Sequence, residues 1–359
     1  MSLVLNDSCL KNQLASDWMH QGMDLANKNS TTTLEQAIRC FDEAIALRGT
    51  LPLDENHFFR YGLSAGWINR GDAMARLGGN YLLTEAVKSY DEALMLLESL
   101  PLEENELYPR RLAITWINRG IALQKQEVPN GRWEAVECFH EAIEVLEYPS
   151  AKEIVDRQSL LAGAWANLAG ALIGSGEENA EFIRSAIHKT LVLVKSSELT
   201  DIVSAEIGLK TRHVLCRLAA RDIMDKKPLS RIMIAEATDA VDETMILARH
   251  WKFQGQTEFA KLARDIFRFG CRIYESAQPH FLAEFLMEYL SPETFYEAIL
   301  PDQETLNMAH AAIWGVLNNL HLDGFQFITT SRFEPFLSDI QELQKVEERL
   351  KQLRPEYSI

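Results

Sequence analysis

Apolar residues along the first half of the chain recur at spacings of three and four, the period of one face of an α-helix. Four of the seven tryptophans lie 49 residues apart, and the residues around them repeat with them. These are Trp18, Trp67, Trp116 and Trp165. The segment Trp67–Gly71 returns with the same five letters as Trp116–Gly120, so the pattern predicts a tandem helical repeat.

A second apolar block follows each tryptophan, with an alanine, an aromatic ring four residues later and another alanine three residues after that. The copies are Ala37–Ala44, Ala86–Ala93 and Ala135–Ala142. Since these spacings share one helix face, we expect pairs of helices. Gly22, Gly71 and Gly120 would let the ring of the second helix approach the first closely. Thr32–Glu35 fits a capping box at the start of a second helix.

Together, a tryptophan, a small residue four positions later and an Ala-x-x-x-Phe-x-x-Ala second helix resemble the tetratricopeptide repeat. The resemblance covers about residues 14–198, in four copies. The period is 49 residues, whereas the family has about 34. Arg70 and Arg119 replace the leucine expected before the glycine. The resemblance implies an all-α, right-handed superhelical solenoid of antiparallel helix pairs, with atypical capping helices at the C-terminal end.

The repeat weakens along the chain, and this sets the expected domain organisation. Residues 1–198 are predicted to form four helix pairs, and residues 199–279 degenerate helices of the same kind. Residues 280–359 are predicted to form a C-terminal helical cap, because the last repeat of a stack must present a polar outer face.

Polar residues recur on the first helix of each pair, two positions after the tryptophan. They are Asn69, Asn118 and Asn167, with His20 at the same position of the first copy. The resemblance implies that this row lines a concave surface and holds the backbone of a peptide, since a carboxamide both donates and accepts. Asp72 and Arg76 lie on the same helix as Asn69 and would add charge selectivity. The alternative is that these are merely tolerated polar residues on an exposed face.

Arg70 and Arg119 also have two interpretations. A guanidinium can bind a ligand carboxylate bidentately. It can also pair with an acid of the same repeat, and Glu92 and Glu141 are the candidates. The structural pair is favoured, because the fourth copy has Leu168 in place of the arginine and lacks the acid as well.

Composition narrows the classes of partner. The net charge of −16 repels nucleic acid and anionic membranes. The chain has no run of about 18 apolar residues, so we expect no membrane span. Met1–Leu10 lacks the basic residue of a secretory signal. Five scattered cysteines without a C-x-x-C pair favour a reducing compartment, and we expect a cytoplasmic protein.

Signals of catalysis are weak. Gly62–Gly66 spells the G-x-S-x-G of a nucleophile elbow, but it falls inside a predicted helix rather than after a strand. The nine histidines have no metal-ligand spacing, and neither a phosphate-binding loop nor a dinucleotide fingerprint occurs. We therefore expect no catalytic residue, no metal and no cofactor.

The leading hypothesis is an adaptor or scaffold that binds a protein or peptide partner in the concave groove. A different class is a ligand- or peptide-responsive regulator, whose C-terminal helices dock on the array. A third alternative is a groove filled by the chain's own C-terminal helices or by a second copy in a homo-oligomer. An enzyme is the least supported reading.

Overall fold

The computed structural model describes residues 2–277 with short gaps, and no residue beyond 277. The gaps are at 127, 129, 149–150, 153, 174–179, 225–228 and 252–256. Eleven α-helices and no strand occur in this described part, which confirms the all-α prediction. The predicted cap over 280–359 lies outside the described residues, and so do its expected helices.

The contacts divide the chain into two compact units, Met1–Thr190 and Leu191–Ile359. The helices of the first unit are α1 (Ser2–Asn27), α2 (Thr31–Gly49), α3 (His57–Leu77), α4 (Asn80–Glu98), α5 (Leu107–Lys125), α6 (Gly131–Glu147), α7 (Arg157–Leu172) and most of α8 (Ala180–Val194). Those of the second are α9 (Ile202–Met224), α10 (Arg231–Trp251) and α11 (Thr257–Ala277).

In the first unit, each helix from α1 to α6 packs against the next one along the chain. The first helices also touch one another, α1 with α3, α3 with α5 and α5 with α7. Successive helix pairs therefore stack with their first helices side by side, which confirms the predicted pairing. The proposed domain boundaries and the handedness of the stack stay predictions.

The tryptophan register corresponds to equivalent contacts in three successive pairs. A Cβ added to Gly22 would lie 2.5 Å from the Phe41 ring. The same addition would lie 2.8 Å from the Tyr90 ring at Gly71, and 2.6 Å from the Phe139 ring at Gly120. All three rings are buried. Only glycine admits the ring this closely, because real side chains do not approach below about 3 Å.

Asparagine and serine side chains begin several helices. Asn56 Oδ1 accepts the Phe58 N–H at 2.8 Å, and Asn105 Oδ1 accepts the Leu107 N–H at 3.0 Å. Asn56 is the N-cap of α3, whereas Asn105 makes the equivalent hydrogen bond one residue before Glu106, the N-cap of α5. The capping box of α2 is formed by Ser30 and Thr33, so the expectation that Thr32 and Glu35 form it was wrong.

In the second unit, α9, α10 and α11 pack against one another around a buried ion cluster. Arg212 on α9 donates to Glu198 Oε1 at 2.5 Å and to Glu243 Oε2 at 2.6 Å. Arg212 and Glu198 are both buried. Gly208, one turn before Arg212, makes room, because a Cβ there would lie 1.7 Å from Glu198 Oε1.

Candidate functional site

The predicted binding residues of the first helices form a row on α1, α3, α5 and α7, which we call the first-helix row. It consists of His20, Asn69, Asn118 and Asn167. The three asparagines are half-buried and His20 is exposed. Because α3 touches α5 and α5 touches α7, equivalent positions of neighbouring first helices follow one another along one layer of the unit. Within the described part of the chain, the side chains of Asn69 and Asn167 have no hydrogen-bond partner.

Asn118 belongs to a small polar network between two pairs. Its Nδ2 donates to Asp72 Oδ1 at 3.0 Å, and the Tyr90 hydroxyl donates to the same oxygen at 2.7 Å. Burial raises the pKa of the Asp72 carboxyl, while these hydrogen bonds and the charge of Arg76 act in the opposite direction. The donor capacity of Asn118 is thus partly used inside the protein, and its amide oxygen still has the capacity to accept a hydrogen bond.

The sequence contains a signal from which this network could have been predicted. Tyr90 and Asp72 both depart from the repeat, because the equivalent rings are Phe41 and Phe139. Only the pair with a tyrosine ring needs an acceptor for a buried hydroxyl, and only that pair has a carboxylate one residue after the glycine. The tyrosine at position 90 and the carboxylate at position 72 therefore belong together, because each departs from the other copies of the repeat and the two form a hydrogen bond.

Arg76 lies at the end of α3 and already has protein partners. Its Nη2 donates to the Ala26 carbonyl and to Asn29 Oδ1, both at 2.7 Å. Asn29 has a φ of 54° in the turn that follows α1. The guanidinium thus satisfies a carbonyl at the C-terminal end of α1, where a positive charge is favourable. Its predicted role in ligand selectivity stays a prediction, and a ligand would compete with Ala26 and Asn29 for the guanidinium.

Arg70 and Arg119 form structural bridges, but with other acids than expected. Arg70 Nε donates to Asp42 Oδ1 and Arg119 Nε to Asp91 Oδ1, each at 2.7 Å. Each acid belongs to the second helix of the preceding pair, so the predicted pairing with Glu92 and Glu141 of the same pair was wrong. The reason is geometric, because each first helix packs between two second helices and its arginine can reach either of them.

The same guanidinium reaches the second helix of its own pair as well. Arg70 Nη1 donates to Ser89 Oγ at 2.7 Å, and Arg119 Nη1 to Cys138 Sγ at 3.0 Å. The arginines also lie over Trp67 and Trp116, with 5.6 Å and 5.9 Å from guanidinium carbon to ring centroid. Each therefore joins three successive helices and is engaged by protein on several sides.

The fourth pair loses the arginine and recovers a cation elsewhere. Trp165 occupies the equivalent tryptophan position, and Lys189 Nζ of α8 lies 3.9 Å from its ring centroid. Leu168 replaces the arginine and is buried. A cation over the tryptophan is thus kept in this pair although its position in the sequence has changed.

In the described residues, the G-x-S-x-G segment does not form the strand and turn of a nucleophile elbow. Ser64 of the G-x-S-x-G spelling lies within α3, is buried, and donates to the Tyr61 carbonyl at 2.8 Å. No group of three or more metal-ligating side chains occurs in the described ranges. Among the helices in those ranges, none combines the length and the apolar character required to cross a bilayer.

Comparisons with known proteins add little. No family model matches the chain, and no curated protein matches it. One similar solved structure is described as "Circular tandem repeat protein with novel repeat topology and enhanced subunit contact surfaces". It is 14% identical, with 97% of this chain and 85% of that chain covered and a TM-score of 0.33. Another, "Computational Design of Self-Assembling Cyclic Protein Homooligomers", is 15% identical, with 97% and 98% covered and a TM-score of 0.14.

These TM-scores are too low to support any argument from the two structures. The helical repeat rests on the chain's own geometry, namely stacked helix pairs with equivalent contacts 49 residues apart. Membership of the tetratricopeptide family stays a prediction. The alternative in which C-terminal helices dock on the array concerns residues 280–359, which lie outside the described part.

Proposed function

We propose that this chain is a non-catalytic scaffold that binds an extended segment of a partner protein along the first-helix row. One observation carries the proposal. The helices α3, α5 and α7 lie next to one another and present an asparagine at equivalent positions. Successive carboxamides on one layer suit the repeating N–H and C=O groups of a peptide backbone, whatever its side chains.

Two further features support a binding layer rather than a purely structural one. The side chains of Asn69 and Asn167 make no described hydrogen bond, although both are half-buried. The large rings and arginines contact neighbouring helices, whereas the side chains of Asn69 and Asn167 and the amide oxygen of Asn118 are available to a ligand. The buried thiols of Cys40, Cys138 and Cys216 fit a scaffold that works in a reducing compartment such as the cytoplasm.

The test starts from peptides selected on the full chain from a random phage-displayed library. Their affinity is then measured by fluorescence anisotropy for the wild type and for Asn69→Ala/Asn118→Ala/Asn167→Ala. We expect the triple variant to bind at least about tenfold more weakly, since each lost hydrogen bond costs roughly 0.5–1.5 kcal/mol.

The matched control is Arg39→Ala/Lys88→Ala/Glu137→Ala, three exposed residues at equivalent positions of α2, α4 and α6. This variant should bind as the wild type does. Equal binding by the asparagine variant, or an equal loss in both variants, would contradict the proposal. Thermal unfolding followed by circular dichroism checks that each variant is folded.

A further inference from the structure

The loops that lead into α3 and α5 have the same sequence pattern, Leu51–Asn56 and Leu100–Asn105, and closely similar backbone hydrogen bonds. The N–H of Glu55 donates to the Pro52 carbonyl at 3.3 Å, and that of Glu104 to the Pro101 carbonyl at 3.0 Å. Each loop ends at an asparagine whose Oδ1 accepts the backbone N–H two residues later. The two loops can therefore be compared residue by residue.

In the first of them, an arginine of the chain itself fills the space beside the loop. Arg60 on α3 donates from Nε to the Leu53 carbonyl at 2.7 Å and from Nη2 to the Asp54 carbonyl at 3.3 Å. Its Nη1 donates to the carbonyl and the hydroxyl of Ser99, the C-cap residue of α4, at 3.2 and 3.3 Å. This guanidinium joins the loop to the end of the second helix.

In the second loop, the position of Arg60 is taken by Pro109, and the space is an open pocket of about 560 Å³. The pocket is lined by Pro101, Leu102, Glu103, Glu104, Pro109, Glu141, Glu144, Val145 and Tyr148. Leu102, Glu103 and Tyr148 are the equivalents of the three residues that Arg60 engages. The pocket thus keeps the loop and the helix end but has lost the side chain that links them.

The charge around the pocket has changed in the same sense. Four glutamates line it, and no lysine or arginine is among its described lining residues. Glu144 stands where the preceding pair has Met95, so one more carboxylate faces the space from α6. Repulsion from Glu141 adds to burial in raising the pKa of nearby Glu98. A concentrated negative charge beside an apolar floor favours a cation with an apolar stem.

We infer that this pocket binds an arginine side chain presented by a partner peptide, in the place that Arg60 occupies in the preceding repeat. The guanidinium would meet the loop carbonyls of Leu102 and Glu103 and the carboxylates of Glu141 and Glu144. Leu102, Val145 and Pro109 would pack on its methylenes and on an adjacent apolar residue of the peptide. The site is separate from the first-helix row and does not depend on it.

The test measures binding of the capped tripeptide acetyl-Ala-Arg-Leu-amide to the full chain by NMR titration. The comparison peptides replace arginine by lysine or by citrulline, which has nearly the shape of arginine without its charge. We expect citrulline to bind at least about tenfold more weakly, because a charge-assisted bidentate contact is lost. Lysine should fall between the two.

Three variants locate the site. Pro109→Arg restores the resident guanidinium and should abolish binding, whereas Pro109→Ala removes the proline without filling the pocket and should retain it. Glu141→Gln/Glu144→Gln should weaken binding by roughly fivefold or more. Asn69→Ala/Asn118→Ala/Asn167→Ala should leave this tripeptide unaffected, so the two binding proposals fail separately.

Several results would overturn the inference. Citrulline could bind as well as arginine, or Pro109→Arg could bind as the wild type does. If the arginine tripeptide does not bind to the wild type, the pocket does not take an arginine side chain from a peptide. It is then either empty or filled by the chain's own segments. A wild-type oligomer that Pro109→Arg dissociates, seen by analytical ultracentrifugation, would identify a second copy as the occupant and reject a peptide partner.

Discussion

In the first unit, Arg70 and Arg119 pair with half-exposed aspartates, whereas Arg212 of the second unit is enclosed by protein. The side chain of Arg212 is 2% exposed and that of its partner Glu198 6%. Arg70 and Arg119 lie 49 residues apart and have equivalent partners, while the Arg212 cluster occurs once in the described chain.

This difference concerns what specifies each unit. In the repeat, the steric fit of a ring against a glycine is buried, and each arginine pairs with an aspartate that is half-exposed to water, which screens the pair. In the second unit, charge is part of the core and must be fully paired, because an unpaired buried ion is costly. Substitutions should therefore separate the two units by the size of their effects.

The largest effect is expected for Arg212→Met, which leaves Glu198 buried without its cation. The free energy of unfolding should fall by about 3–5 kcal/mol, the typical cost of removing one partner of a buried ion pair. Urea unfolding measures this. The control on the same helix is Lys210→Ala, which removes an exposed pair with Glu206 and should cost less than about 0.5 kcal/mol. Similar losses in the two variants would reject the distinction.

The second unit should also lose stability in mild acid through His213. Burial lowers the pKa of His213 to about 4, with Arg217 and Lys261 acting in the same direction and Asp265 against it. The folded state therefore holds the neutral ring, so stability is lost as the pH falls from the unfolded pKa near 6.5 towards 4. The loss should reach at most about 3 kcal/mol. Unfolding of the wild type and of His213→Gln between pH 7 and pH 4 tests this, since the variant should lack that component.

The buried steric fit of the repeat is tested by Gly120→Ala. The new methyl group would lie 2.6 Å from the Phe139 ring, so we expect a loss of about 1–3 kcal/mol. Alanine is otherwise the better helix former by about 1 kcal/mol. Gly49→Ala is the matched control, because nothing lies within 4 Å of its added carbon, and it should be neutral or stabilising. A stabilised Gly120→Ala would show that the ring does not lie against this glycine.

The smallest effects are expected for Arg70 and Arg119, and the two substitutions should cost similar amounts of stability. Arg70→Ala and Arg119→Ala should each cost about 0.5–1 kcal/mol, and the double-mutant cycles with Asp42 and Asp91 should give coupling energies within about 0.5 kcal/mol of each other. Coupling in one pair only would mean that the two equivalent bridges are not equivalent in solution.

Much of the first unit was predictable from the sequence, because its contacts are encoded at a fixed spacing. The tryptophan register, the glycines and the rings identified the helix pairs and the surfaces that meet within them. The partners of Arg70 and Arg119 were not predictable in this way. An arginine on a first helix has a candidate acid on each flanking second helix, and the sequence alone does not choose between Asp42 and Glu92.

Other features were missed because they arise where the repeat is broken. Pro109 in place of Arg60 reads as a helix-start proline, and only the hydrogen bonds of Arg60 reveal what the substitution removes. Glu198 belongs to the turn after α8, and the sequence around it does not predict that it pairs with a buried arginine on α9. Departures between equivalent positions are thus the most informative signal in a repeat, once one copy has been seen in three dimensions.

Photo-cross-linking would show whether the first helices form the binding layer. A peptide selected on the full chain would carry a benzophenone group at successive positions, and the adducts would be mapped by mass spectrometry. We predict adducts on α3, α5 and α7 near Asn69, Asn118 and Asn167. As the benzophenone group moves along the peptide, the main adduct should shift from one first helix to the next. Adducts confined to α2, α4 and α6, or to the second unit, would contradict binding along the first-helix row.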